Sequence, residues 1–179
     1  MGLDSGPITR AVSYAGTGSR VRNLAQLNLM PQQSATVESP RGLRARFQAG
    51  CFVCGQENPH GLHVRFRRQD NGEITATWTP TPVLEGFEGI VHGGVVSAVL
   101  DEAMSKAVAG EGTEALTAEL RVRFHYHVTA GDAFTVRGWI ASRNKRLIKT
   151  EAALLAGDGT EHAHAWATFL PLRPADGSH

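Results

Sequence analysis

One stretch decides the fold of this chain: residues 86–110, which read GFEGIVHGGVVSAVLDEAMSKAVAG. From Val95 to Val108 the residues are apolar on nearly every side of a helix, which predicts a helix buried inside the domain. Gly93 and Gly94 precede it and allow a tight turn and the close approach of a ligand. Because the first N–H groups of a helix have no intrahelical acceptors, they could polarise a carbonyl group.

Asp101 lies in the middle of this apolar helix, about two turns after the paired glycines. A carboxylate in such a place is either held by a structural partner, such as a buried hydroxyl or a cation, or is a catalytic group. We favour the catalytic interpretation. Glu102 can pair with Lys106 at the i to i+4 spacing, and we expect it on a more exposed side as a solvated charge.

The rest of the domain alternates as β-strands do. Residues 62–67 and 74–78 flank an Asp-Asn-Gly turn, which predicts a hairpin before the helix. After the helix, the clearest strand places on one face a set of residues that we expect to cover the helix: Leu116, Ala118, Leu120, Val122, Phe124 and Tyr126. Three further strands are predicted over 133–142, 147–156 and 161–170. This order is typical of an α+β domain in which a curved antiparallel sheet wraps around one helix.

The segment from Gly89 to Met104 resembles the signature of hotdog-fold acyl-CoA thioesterases, in particular their phenylacetate-pathway branch. Two other segments carry the same resemblance: CFVCGQENPHGL at 51–62 and LTAEL at 116–120. The resemblance covers about residues 50–172. It implies a hotdog fold with one long central helix, and dimers or pairs of dimers with the site between subunits. Pairing sheet edges across a two-fold axis would also protect bare strand edges.

The resemblance implies hydrolysis of an acyl-CoA thioester. The N–H groups near Gly93 and Gly94 would stabilise the oxyanion, and Asp101 would act as general base on water or attack directly. Thr117 would position the water or the carboxylate, although strand parity places it opposite the helix-facing set unless a bulge near Ala115 re-aims it. We expect His92 to order the loop through hydrogen bonds rather than to transfer protons.

The phosphates of coenzyme A require cations. Arg143, Lys145 and Arg146 form the densest basic turn and are predicted to contact them, with Arg121 and Arg123 as competitors. From the upstream segment that carries the resemblance we assign a further substrate contact, Asn58. Gly86 departs from the family pattern, because related thioesterases place an Asn or Gln six residues before the histidine.

Cys51 and Cys54 are the only cysteines in 179 residues, which argues against a disulfide scaffold and for a reducing compartment. With His60 and His63 nearby, a zinc site is one alternative, and redox activity of the Cys-x-x-Cys pair is another. The spacing to His60 is shorter than in zinc fingers, and the resemblance argues against a metal. We therefore predict packing as their role, with no metal and no cofactor.

Composition and charge fit a single domain: 41% hydrophobic content and a formal net charge of +1. We expect a variable or disordered arm over 1–45, a thioesterase domain over 46–172 and a tail over 173–179. Arginines without acids between Ser5 and Thr36 leave an organelle transit peptide as an alternative. We predict a cytoplasmic homodimer or homotetramer that binds acyl-CoA and neither nucleic acid nor membrane.

Two other functions remain open from the sequence. A hotdog hydratase or dehydratase would use a loop histidine with a helical carboxylate, a pairing that His92 and Asp101 could supply. The other is a non-catalytic acyl-CoA-binding protein. Release of free thiol distinguishes a thioesterase from both.

Overall fold

The structure is a computed structural model that describes residues 49–172. The predicted arm over 1–45 and tail over 173–179 lie outside the described residues. Within the described part, a six-stranded antiparallel sheet packs on one long helix, which confirms the predicted fold class. Over residues 49–172, no helix combines the length and the apolarity needed to cross a membrane.

The predicted order of two strands, a helix and four strands is present. The elements are β1 (Arg67–Arg68), β2 (Ile74–Trp78), β3 (Glu85–Phe87), β4 (Ile90–Val91), α1 (Gly93–Gly110), β5 (Ala115–Phe124), β6 (Phe134–Arg143), β7 (Ile148–Leu155) and β8 (Glu161–Pro171). The structure thus adds a short pair of strands, β3 and β4, that the alternation did not predict. A 3₁₀ turn, Pro82–Leu84, precedes β3. The large sheet has the strand order β1-β2-β6-β7-β8-β5, so β5 lies at an edge, and β3 pairs only with β4.

Helix α1 lies across the inner face of this sheet and supplies much of the core. Its buried residues are Val96, Val99, Leu100, Ala103, Met104, Ala107 and Val108. The sheet contributes the apolar residues of β2, β6, β7 and β8 that face it. At Gly138 the two backbones nearly touch, because a Cβ there would lie 2.7 Å from the carbonyl of Ala103. Glycine in β6 therefore allows the helix to seat directly on the sheet.

The predicted first strand is much shorter than its alternation suggests. Only Arg67–Arg68 pairs with β2. The N–H of Leu62 donates instead to the carbonyl of Phe52 at 2.7 Å. His63 adopts a left-handed conformation with φ of 53°, which a regular strand does not accommodate. The alternation over 62–66 thus reflects packing against the loop that carries the cysteines.

The predicted helix-facing set of β5 is correct for Leu120, Val122 and Phe124 and wrong for Leu116, because the strand contains a bulge. Its register with β8 shifts between Thr117 and Glu119. Thr117 lies opposite the buried Phe169, and directly paired residues share a face, so Thr117 faces the helix. Leu116 therefore points outward and is 62% exposed. Beyond the bulge the helix-facing residues are Leu120, Val122 and Phe124, which lie opposite small buried alanines of β8.

Candidate active site

Helix α1 and the start of β5 bring together two of the residues that the sequence singles out. The Thr117 hydroxyl donates a hydrogen bond to Oδ1 of Asp101 at 2.9 Å. The bulge after Thr117 allows this hydrogen bond, because regular alternation along β5 would point the Thr117 hydroxyl away from the helix. Both partners of this hydrogen bond belong to the same chain.

The surroundings of Asp101 make its carboxylate more basic than an ordinary one. Burial raises its pKa, and the neighbouring charge of Glu102 raises it further, while the hydrogen bond from Thr117 works in the opposite direction. Because Oδ1 is already held by the hydroxyl, Oδ2 is the oxygen left to accept a proton. A raised pKa suits a general base that works near neutral pH.

At the N-terminus of α1, the N–H groups of Gly93 and Gly94 differ in whether they have a hydrogen-bond acceptor. His92 caps the helix, and its Nδ1 accepts a hydrogen bond from the N–H of Gly94 at 2.9 Å. This imidazole therefore orders the turn, and the Gly94 N–H is occupied. Gly93 occupies the first helical position, and its N–H has no acceptor among residues 49–172.

Gly86 packs against the histidine cap. A Cβ on Gly86 would lie 3.1 Å from both Cα and Cδ2 of His92, so a larger residue would push the imidazole away. Gly86 is the position where the sequence departs from the family pattern. Sequence spacing alone could not predict the contact between Gly86 and His92, because this contact depends on the pairing of β3 with β4.

A cavity of about 570 Å³ adjoins the free N–H of Gly93. Its apolar lining residues include Phe87, Ile90, Val91, Val96, Phe124 and Tyr126. Phe124 lies directly over Gly93, since a Cβ there would be 3.3 Å from the ring. Sequence analysis missed Phe124 as a site residue and placed it among the core residues of the strand. It is in fact 48% exposed.

Gly93 and Asp101 cannot act on one carbonyl group within a single chain. They are eight positions apart on one helix, which corresponds to about 12 Å along the axis. A hydrogen-bond donor and a base that serve the same thioester must each lie about 3 Å from reacting atoms. Within one protomer, therefore, the Gly93 N–H and the Asp101 carboxylate form two separate clusters, which are the two candidate half-sites.

The basic turn between β6 and β7 lies away from both half-sites. Arg143 donates to the Thr113 hydroxyl at 2.8 Å, and Lys145 and Arg146 are exposed. Arg143 belongs to the same cross-strand row as Thr117, through Ile148 and Phe169. Three strand spacings separate the ends of this row, about 14 Å.

Asn58 is engaged within its own loop. Its Nδ2 donates to the carbonyl of Gly50 at 3.2 Å, and its Oδ1 accepts from the N–H of His60 at 3.0 Å. Both ends of the amide thus stabilise the loop. The described structure brings neither Asn58 nor the basic turn into contact with Asp101.

Comparison with known proteins agrees with this architecture. The model of the thioesterase superfamily matches residues 88–163. "Putative esterase SSO1253" of Saccharolobus solfataricus is 30% identical over 114 residues, which are 63% of this chain and 75% of that protein. A thioesterase superfamily protein of known structure has a TM-score of 0.64 and 30% identity, with 66% of this chain and 61% of that chain covered.

Other solved structures share the fold at lower identity. A hypothetical thioesterase protein from Streptococcus pneumoniae, whose structure was solved with coenzyme A, has a TM-score of 0.58 and 15% identity over 61% of this chain and 85% of that one. Proteins from phenylacetic acid degradation also match.

A curved antiparallel sheet around one central helix is the architecture of a hotdog-fold protein. Two of the comparisons extend the assignment from the fold to the family. They are the Saccharolobus relative, three quarters of which is covered at 30% identity, and the matched family model. The chain belongs to the thioesterase superfamily.

Proposed function

We propose that the protein hydrolyses the thioester of an acyl-CoA or aryl-CoA, releasing the free acid and coenzyme A. The observation that carries this proposal is the half-buried Asp101, whose Oδ1 is held by Thr117 while Oδ2 is left to act as a base. The thioesterase superfamily supplies the reaction class. The S. pneumoniae protein whose structure was solved with coenzyme A supports coenzyme A as the thiol part of the substrate.

In the proposed mechanism, Asp101 removes a proton from a water molecule as that water attacks the thioester carbon. The oxyanion that forms accepts a hydrogen bond from the N–H of Gly93. When the tetrahedral intermediate collapses, the C–S bond breaks and the carboxyl group of Asp101 returns the proton to the departing thiolate. Thr117 positions the carboxylate throughout. The basic turn of Arg143, Lys145 and Arg146 is assigned to the phosphates, which the pantetheine arm separates from the thioester.

A complete site requires two chains. We assign Asp101 and Thr117 to one protomer and the oxyanion donor to Gly93 of the partner subunit. The edge strand β5 supports this arrangement, because it exposes large apolar side chains: Leu116 62%, Leu120 38% and Phe124 48%. An unpaired edge of this kind favours pairing with a second copy of itself. The homodimer is our proposal, and a homotetramer would be a pair of such dimers.

The test is a thiol-release screen on the full chain with short, medium, long and aromatic acyl-CoAs. A thioesterase releases one free thiol per acid formed. An enoyl-CoA that gains water without releasing thiol would instead show a hydratase, in which His92 would have to act beside Asp101. Saturable acyl-CoA binding with no product of either kind would show a binding protein and would contradict the proposal.

Dimerisation through β5 makes a separate prediction. Light scattering at micromolar concentration should return at least twice the mass of one chain, because apolar edge side chains are withdrawn from water on pairing. Replacing the outward Leu116 by Lys should shift the protein toward monomer, since a charge would then be buried in the interface. Replacing the outward Lys149 of β7 by Glu is the matched control. A monomeric wild-type protein would rule out the composite site.

A further inference from the structure

We propose that Cys51, Cys54 and Glu102 form a binding site for a soft divalent metal ion of the zinc class. The site joins the cysteine loop, residues 51–55, to helix α1. It uses none of the residues assigned to thioester hydrolysis. The comparisons with known proteins describe no such site, and the sequence pattern alone favoured packing.

The three ligand groups already converge. Both Sγ atoms and a carboxylate oxygen of Glu102 lie within 4.8 Å of one another. Cys51 Sγ is 3.5 Å from Oε2 of Glu102. In a tetrahedral zinc site, ligand atoms are separated by about 3.6–3.8 Å. Side-chain movements of about 1 Å would therefore close the cluster around an ion.

The backbone of the cysteine loop is built to present both sulfur atoms on one side. The N–H of Val53 donates to Cys51 Sγ at 3.4 Å, and the N–H of Gly55 donates to the carbonyl of Cys51 at 2.9 Å. A Cβ on Gly55 would lie 2.5 Å from the backbone of Ala49 and of Cys51, so only glycine closes this turn. Hydrogen bonds to a ligand sulfur stabilise the thiolate form that binds a metal.

The charges in the cluster would allow a metal ion to replace the Lys106 ammonium as the partner of Glu102. The Lys106 ammonium lies 3.4 Å from Oε1 of Glu102 and neutralises it. A bound divalent ion deprotonates its thiol ligands. Binding would release two thiol protons, form two metal–sulfur bonds and displace the ammonium from Glu102.

The ion would have a path of entry and room for a fourth ligand. Cys54 and Lys106 line a cavity of about 730 Å³ beside the C-terminal half of α1. Lys106 can move into this space, and water can complete the coordination. Because Glu102 lies on the helix and the cysteines lie on the loop, the ion would connect the two elements and stabilise the fold.

The experiment uses the reduced, metal-stripped full chain with Co²⁺ as a spectroscopic probe. Wild type should show a sulfur-to-cobalt charge-transfer band that saturates at one ion per chain and is displaced by Zn²⁺. Cys54→Ser should lose the band, and Glu102→Gln should weaken binding by about tenfold or more, as loss of a ligand requires. Lys106→Met should tighten binding, since the competing ammonium is gone. Glu119→Gln, on the surface of β5, is the matched carboxylate control.

A second readout separates a real site from chance binding. Zn²⁺ should raise the midpoint of thermal unfolding of wild type and of Lys106→Met, but not of Cys54→Ser. The proposal is overturned if wild type with two titratable thiols shows no band. It is also overturned if Co²⁺ affinity is the same in wild type and Lys106→Met while Glu102→Gln binds normally. Thiol release from acyl-CoA is measured on the same samples, so failure of the metal site does not bear on hydrolysis.

Discussion

The Asp101→Asn variant is expected to release thiol from acyl-CoA at least about 10²-fold more slowly than wild type, with folding and acyl-CoA binding retained. Asparagine keeps the Oδ1 acceptor for the Thr117 hydroxyl but cannot take a proton from water. The loss should therefore appear in kcat and not in KM. Asp70→Asn, in the exposed turn between β1 and β2, is the control and should match wild type.

The pH dependence of the reaction provides a check on the same residue. Because burial raises the pKa of Asp101, kcat/KM should fall as the pH drops through that raised value, where the base becomes protonated. The residual activity of Asp101→Asn should lack this limb. Wild-type turnover in the Asn variant, or an unchanged acid limb, would move the role of base to another residue, with His92 the next candidate.

The Asp101→Asn substitution should lower activity without lowering the stability of the fold. A carboxyl group whose pKa rises on folding holds its proton more tightly in the folded state. Its ionised form therefore costs stability, and this cost grows as the pH rises from the ordinary aspartate pKa through the raised value. Asp101→Asn should melt no lower than wild type at neutral pH, with the difference shrinking in acid. Unfolding of the variant would support a purely structural carboxylate.

The Gly93→Pro variant is expected to lower kcat by about 10²–10³-fold, the usual effect of losing one oxyanion donor. Proline is tolerated at the first helical position and removes only the N–H. His92 has φ of −60° and ψ of 128°, a conformation that suits a residue before proline. Gly93→Ala is the matched control, because it places a Cβ against the same Phe124 ring but keeps the N–H. Equal losses in both variants would attribute the effect to crowding of Phe124.

Mixing the Asp101→Asn and Gly93→Pro variants tests whether the site spans two chains. In a dimer of one Asp101→Asn chain and one Gly93→Pro chain, one site carries both defects and the other carries neither. Random exchange of equal amounts should then restore about a quarter of wild-type activity, since half of the dimers have one intact site. Activity that stays at the level of the separate variants would place the donor and the base in one chain.

The central features of this protein are local properties of its sequence. A continuous apolar circumference predicts that α1 is buried, and the carboxylate within it makes Asp101 a candidate catalytic residue, because each inference depends only on helical periodicity. The i to i+4 spacing likewise predicts the Glu102–Lys106 pair, which the structure confirms at 3.4 Å. Alternation and turn residues locate β2 and the four strands after the helix, since strand period and turn chemistry are read over a few residues.

The details of the site depend on contacts between segments distant in the chain. The orientation of Thr117 follows from a bulge that exists only in the pairing of β5 with β8. The division of roles between Gly93 and Gly94 follows from the imidazole of His92, which Gly86 leaves room for. Glu102 meets Cys51 rather than open solvent because the cysteine loop folds back on the helix. Periodicity assigns a residue to a face, whereas bulges, caps and loop packing decide what that face meets, and these are set by the tertiary structure.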